Sequence, residues 1–185
     1  MATAKTPADA WLDAGLTALA EGGPEAVRVE RLATALGVTK GGFYWHFPDR
    51  TAFLERVLDR WEHAAVEDVI AILESHPADA RDRLRELFGL AMSFVVSREG
   101  AGVELAVRDW ARRDTAVAAR LRGIDDRRMS YMRALFAEFC DDELDVEARC
   151  LLAYSVFLGQ HLVAATHGDY ARADVLHRAL ENLLT

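Results

Sequence analysis

The chain has 185 residues, 51% of them apolar and 28% charged, with a formal net charge of −8. That balance suits a globular core and excludes a disordered or fibrous chain, while the acidic excess excludes a protein coated over its whole surface by nucleic acid. Two cysteines, Cys140 and Cys150, without CxxC or CxxH company, exclude a zinc module and read as two buried thiols, with a disulfide between them as the alternative.

The amino-terminal stretch MATAKTPADA has no apolar core of a secretion signal, and the longest mainly apolar run, 151–165, contains Gln160 and His161 and is shorter than a membrane span. A cytoplasmic protein is expected. Helical periodicity begins at "TPAD", with Thr6 as N-cap, Pro7 at the first helical position and Asp9 closing a capping box. Trp11, Ala14, Gly15, Ala18 and Leu19 then share a face, and Gly22 or Gly23 ends the helix. A short second helix, 29–36, buries Leu32, Ala33 and Leu36. Gly37 suits a left-handed residue after it, and Thr39 suits the cap of a third helix that stops near Phe47, ahead of Pro48. Asp49 caps a fourth, which lacks Gly and Pro from 50 to 75 and is expected to run unbroken. Further helices are predicted at 78–97, 103–113, 115–139, 146–167 and 170–184, with "REGAG" at 98–102 as a loop and Asp114 as a cap. The fold is expected to be all-α with about nine helices. A three-helix, helix-turn-helix domain (1–50) precedes a larger helical domain (51–185).

Within 38–50, "VTKGGFYWHFPDR", two glycines precede four aromatic rings and a histidine. Two short helices joined by "GVT" have the layout in which a second helix is offered to the DNA major groove. On a helical wheel Phe43 and Phe47 are four apart and turn inward with Val38, leaving Lys40, Gly41 and Tyr44 on an outer side and Trp45 and His46 at its edge. Each glycine costs a helix interior about 1 kcal/mol against alanine, so the pair opposes a purely structural helix. Without side chains at 41 and 42, the backbone approaches bases and phosphates closely. Lys40 then supplies charge, Tyr44 and His46 hydrogen bonds to phosphate, and Trp45 apolar contact. Arg50 at the start of the fourth helix and Arg28 at the start of the second add two phosphate contacts. Taken alone, Tyr44, Trp45 and His46 also fit a core or an ordinary surface. Charge supports the first reading: residues 28–50 hold four basic side chains and two acidic ones, whereas 51–185 hold seventeen and twenty-four.

Residues 8–54, around the core "GVTKGGFYWHF", resemble the DNA-binding domain of the TetR family of bacterial transcriptional regulators, over about a quarter of the chain. The resemblance implies that Thr39, Lys40, Gly41, Gly42, Tyr44, Trp45 and His46 lie at the DNA and that Arg50 holds phosphate. Arg28 departs from the threonine often found at its position, and Leu19 replaces a frequent phenylalanine. The family also implies a ligand-responsive regulator, more often a repressor, that binds a palindromic double-stranded operator as a homodimer. A small-molecule effector would act through the fourth helix.

For the dimer, small and apolar residues on the last two helices offer a stripe: Leu152, Ser155, Gly159 and Val163, then Leu176, Leu180 and Leu183. The same stripes also fit the inside of the monomer. For an apolar or aromatic effector the candidates are Trp61, Phe88, Met92, Trp110, Tyr131, Phe136, Phe157 and His161, residues of types that are core more often than ligand contacts. "RDWARRD" at 108–114 reads as a solvated basic face or an anchor for an anionic ligand. An enzyme is not expected, because the six histidines are dispersed and no HExxH, GxSxG, Walker or GxGxxG pattern occurs. No cofactor, metal or membrane partner is expected either. A helical adaptor without DNA binding is the other alternative, opposed by Lys40, Tyr44, His46 and Arg50.

Overall fold

A computed structural model describes residues 6–96 and 98–185, with backbone alone at 93–96 and 98–100. The described residues form α1 (Ala8–Gly22), a 3₁₀ turn (Pro24–Ala26), α2 (Val29–Ala35), α3 (Lys40–Tyr44), α4 (Arg50–Ala65), α5 (Glu67–Glu74), α6 (Ala80–Val96), α7 (Arg98–Ala111), α8 (Thr115–Phe136), α9 (Glu143–Gly159) and α10 (Arg172–Glu181), with no strand among them. Residues group by contact into one unit of Met1–Glu67 with Ser97–Arg122 and another of Asp68–Val96 with Gly123–Thr185. Packing therefore does not part the chain at residue 50, since α4 and α7 lie with the front helices.

The first unit is built around rings. Trp11, Phe43 and Phe53 are fully buried, with Phe47 close behind. Phe43 meets Trp11 edge-on at 5.5 Å, and Phe47 meets Phe53 edge-on at 4.7 Å, arrangements that suit the ring quadrupole. Gly15 leaves room for this cluster: a Cβ there would lie 2.8 Å from Phe53 Cζ and Val57 Cγ2. The expected cap at Thr6 is not formed. Pro7 occupies the N-cap position of α1, and no side chain caps the helix.

Two expected boundaries move for tertiary reasons. The fourth helix is not continuous to residue 75, because it breaks at Val66, whose φ of −129° and ψ of −67° leave the helical region. No Gly or Pro marks the place. Val66 is 3% exposed and its N–H still bonds Glu62 O at 3.1 Å, so the break accompanies the burial of a β-branched side chain whose helix preference is weak. The break divides the expected fourth helix into α4 and α5. The "REGAG" segment is helix, the first turns of α7, rather than a loop. α7 packs on α1, and Gly102 is a point of close approach. A Cβ there would sit 2.8 Å from Ala20 Cβ and 3.2 Å from Ala20 O. Gly102→Ala is therefore expected to destabilise the protein by about 1–3 kcal/mol through overpacking, despite alanine's better helix propensity. A fall in the urea midpoint at constant slope would show it, and a raised midpoint would contradict this seating of α7.

The second unit has its own core, in which Leu84 and Phe88 of α6, Met132, Leu135 and Phe136 of α8, Val146, Cys150 and Ala153 of α9 and Leu180 and Leu184 of the chain's end are buried together. Asp114 caps α8, accepting from Ala116 N and Val117 N. Asp142 caps α9, accepting from Leu144 N and Asp145 N, which starts this helix earlier than expected. It also ends earlier, at Gly159, so His161 and Val163 lie beyond it. Both cysteines are free thiols, and burial pushes that of Cys150 up to about 11.

Candidate nucleic-acid interface

The turn before α3 follows directly from Gly37. Its φ is +66°, a region that only glycine enters without strain. The Gly37 N–H then bonds Thr34 O at 3.1 Å and the Val38 N–H bonds Ala33 O at 2.9 Å. These are the paired bonds of a Schellman motif, which reverses the chain with its last carbonyls satisfied. Thr39 stands at the N-cap of α3 in extended conformation, but its hydroxyl makes no cap bond there, in contrast to expectation. α3 itself is only Lys40–Tyr44, and Trp45 and His46 form the turn after it.

Burying Phe43 fixes which way the rest of this helix points. With its ring held among Trp11, Phe47 and Phe53, Tyr44 is left 59% exposed and Trp45 76% exposed. Gly41 is exposed and Gly42 half-buried. Neither has a positive φ, and an added Cβ would meet nothing nearer than Thr39 Oγ1 at 3.7 Å or Trp11 Cζ2 at 3.6 Å. Packing inside the unit thus does not demand glycine at either position.

The cations around α3 are held by neighbouring acceptors. Lys40 Nζ lies 2.7 Å from Glu30 Oε1 of α2, and Arg31 lies 2.6 Å from Glu21. Arg28, exposed at the N-cap of α2, donates from Nε to Glu25 O at 3.1 Å. Arg50, half-buried at the first residue of α4, donates to Val27 O at 2.8 Å and to Pro24 O, so it clamps the 3₁₀ turn that leads into α2. His46 Nε2 is 2.9 Å from Thr6 O. A carbonyl only accepts, so that nitrogen carries the proton, and the other nitrogen of a neutral ring has none to give. For Arg50 and His46 these internal bonds differ from the phosphate contacts expected of them. Sequence spacing gave no sign of them, because the acceptors are main-chain oxygens 23 to 40 residues away. Arg50→Ala should lower stability by about 1–3 kcal/mol, the cost of two carbonyls losing a charged donor. Arg50→Lys should recover only part of it, because an ammonium cannot reproduce the planar fork. Equal denaturation midpoints for all three proteins would contradict the clamp.

The eight effector candidates are divided between the two units. Trp61, buried on α4, and Trp110, half-buried on α7, belong to the first unit. In the second unit Phe88 and Phe136 are core, and Tyr131 packs on that core. Burial, then its 2.8 Å hydrogen bond to Glu74, raises the Tyr131 hydroxyl well above its ordinary range. Met92 is half-buried on α6. Phe157 and His161 do come together: Phe157 stacks on Tyr154 at 5.9 Å and meets His161 edge-on at 6.5 Å. Beside them Tyr154 donates to Asp125 at 2.6 Å and accepts from Arg128 at 3.0 Å. Of the dimer candidates, Leu152 and Ser155 are exposed on α9 and Gly159 and Leu176 half-buried. Val163 is exposed beyond α9, Leu180 is core, and Leu183 packs against that core. In "RDWARRD", Arg108 pairs at 2.8 Å with Glu104, a buried carboxylate that sequence reading missed, and Arg113 pairs with Asp109 at 2.5 Å. The signal for both pairs is the i, i+4 spacing.

Among the described residues no cluster of three or more His, Cys, Asp or Glu could hold a metal, and no helix is long and apolar enough to cross a membrane. Fold and site together define an all-helical protein with an amino-terminal helix-turn-helix unit. Residues 12–57 match the family model of bacterial regulatory proteins, tetR family. The tetracycline repressor protein class C of Escherichia coli is 30% identical over 139 residues, which cover 72% of this chain and 60% of the repressor. The chain thus spans under two thirds of that relative's length. A protein from Saccharomonospora viridis solved in complex with choline shares the fold at a TM-score of 0.78 and 20% identity, covering 96% of this chain and 94% of its own. The regulator FadR from Bacillus subtilis in complex with stearoyl-CoA does so at 0.70 and 16%, covering 97% and 98%. The chain belongs to the TetR family, whose members matched here are transcriptional regulators and not enzymes.

Proposed function

We propose that the protein is a transcriptional repressor that binds a palindromic double-stranded operator as a homodimer in the cytoplasm and responds to a small apolar or aromatic effector. The observation that carries the reading is the surface of α3. Tyr44 and Trp45 stand exposed beside Gly41 and Gly42, two glycines that internal packing does not require. An exposed ring next to stripped backbone suits phosphate, sugar and a thymine methyl. Residues 1–50 would read the DNA, with Arg28, Thr39, Lys40, Gly41, Gly42, Tyr44 and Trp45 at the duplex and His46 and Arg50 bracing them. Residues 51–185 would pair two chains and hold the effector.

Geometry as well as family supports a dimer. One five-residue helix makes too few base contacts to select a site, and two such helices about 34 Å apart would read successive major grooves. The exposed face of α9, with Leu152 and Ser155, supports the pairing, and the Tyr154–Phe157–His161 cluster supports an aromatic effector. The choline and stearoyl-CoA complexes of the two structural neighbours support a ligand of some kind. An effector would shift the population of DNA-competent dimers. Because α4 stops at Val66, the shift would pass through a backbone break rather than along one rigid rod. A gel-shift assay on the DNA upstream of the protein's own gene tests the reading. A retarded band that unlabelled random duplex fails to compete away is expected, and no band on any duplex would overturn it.

A further inference from the structure

The cation at the start of α3 is not alone: the Glu30 carboxylate of α2 reaches it at 2.7 Å, and both side chains are more than half exposed. The hydrogen bond from Lys40, then Glu30's own amide, hold that carboxyl below its ordinary range. In a helix-turn-helix the first residues of the second helix lie over base edges, which puts a carboxylate beside the part of the protein that meets DNA.

We propose that Glu30 is a specificity-determining residue, a carboxylate carried on α2 and steered by Lys40 that accepts a hydrogen bond from a base amino group and disfavours every other placement on the duplex. The proposal rests on the DNA-binding reading above and adds a base-reading role on the supporting helix. Three physical points favour it. A carboxylate has acceptors and no donor when ionised. Against phosphate oxygens, or the acceptor-only edge of guanine, it is repelled, whereas cytosine N4 offers it a donor in the major groove. Its ion pair is exposed and so worth little to the fold, which leaves it free to exchange partners when DNA arrives. Lastly, by neutralising Lys40 it lowers the sequence-independent attraction that would otherwise hold the protein on random DNA. Discrimination then comes from weakening the wrong complexes as well as from strengthening the right one.

The test uses full-length wild-type and Glu30→Gln proteins on two probes: the duplex each enriches from a randomised library, and an unrelated duplex of equal length. Glu30→Gln is expected to bind the unrelated duplex roughly fivefold more tightly and to lose at least as much in the ratio of enriched to unrelated affinity. Its enriched half-site should also lose one cytosine preference that the wild type shows. Identical enriched sequences with an unchanged ratio would overturn the proposal and leave DNA binding standing. A wild-type protein that enriches no sequence would overturn DNA binding itself, and this proposal with it.

Discussion

Phe43→Ala is expected to be the most damaging single substitution in the front unit, lowering its stability by about 3–5 kcal/mol. The ring is fully buried, and it touches Trp11, Tyr44, Phe47 and Phe53 with centroids 5.1 to 5.5 Å away. Removing it deletes four aromatic pairings together with the apolar area, and leaves a cavity bounded by rigid rings that collapse poorly. α3 has five residues, too few to hold helical shape without tertiary support, and Phe43 is its only buried side chain. Two measurements check this. Urea unfolding should show a lowered midpoint, and duplex binding should fail at temperatures where the remaining helices still give their far-ultraviolet signal. A variant with unchanged midpoint would mean that α3 is held by something other than this ring.

How far the sequence was legible depends on whether the deciding contact was local. Gly37, the Asp49 cap, the Asp114 cap and the inward turn of Phe43 and Phe47 each follow from residues within five positions, and each is found. At Val66 and Gly102 the deciding contact is not local. A segment without Gly or Pro from 50 to 75 carries no stop signal, and the glycines at 100 and 102 carry a false one. Burial at Val66 and the seating of Gly102 on Ala20 decide the outcome, and neither partner can be inferred from spacing. The candidate interface divides in the same way. The outward faces of Tyr44 and Trp45 follow from helix periodicity, but the acceptors claimed by Lys40, Arg50 and His46 lie 10 to 40 residues off.

Those acceptors change what docking to a duplex involves. Arg28, Arg31, Lys40 and Arg50 all have an oxygen of their own chain in hydrogen-bonding range. Each phosphate contact by one of them would be an exchange, with an internal acceptor released for an external one. Affinity at low salt should be lower than the four positive charges suggest, and its salt dependence shallower than four phosphates per chain would give. Selectivity then depends on which acceptor is the easier to give up. Glu30, exposed on a side chain with many rotamers, releases Lys40 more readily than the 3₁₀ turn releases Arg50.

Leu152→Lys and Leu180→Ala should fail in different ways, although sequence placed both residues on one pairing surface. Leu152 is 54% exposed on α9, so a lysine there leaves the fold of the chain nearly unchanged. In the proposed two-fold dimer the substitution enters twice and buries charge without a partner. Dimer affinity should fall on the order of a hundredfold or more, and operator binding should fall with it, because the duplex then meets one reading helix instead of two. Leu180 is 6% exposed within the core of the second unit, against α6, α8 and α9 residues. Its truncation should cost about 2–5 kcal/mol of stability whatever the oligomeric state. Sedimentation over a concentration series and urea unfolding separate the two. Leu152→Lys should sediment as a monomer with its unfolding slope unchanged, and Leu180→Ala should remain dimeric with a lowered midpoint. A Leu152→Lys protein that sediments like the wild type would move the pairing surface off this face of α9, and the spacing of the two reading helices would then have to be set by another part of the chain.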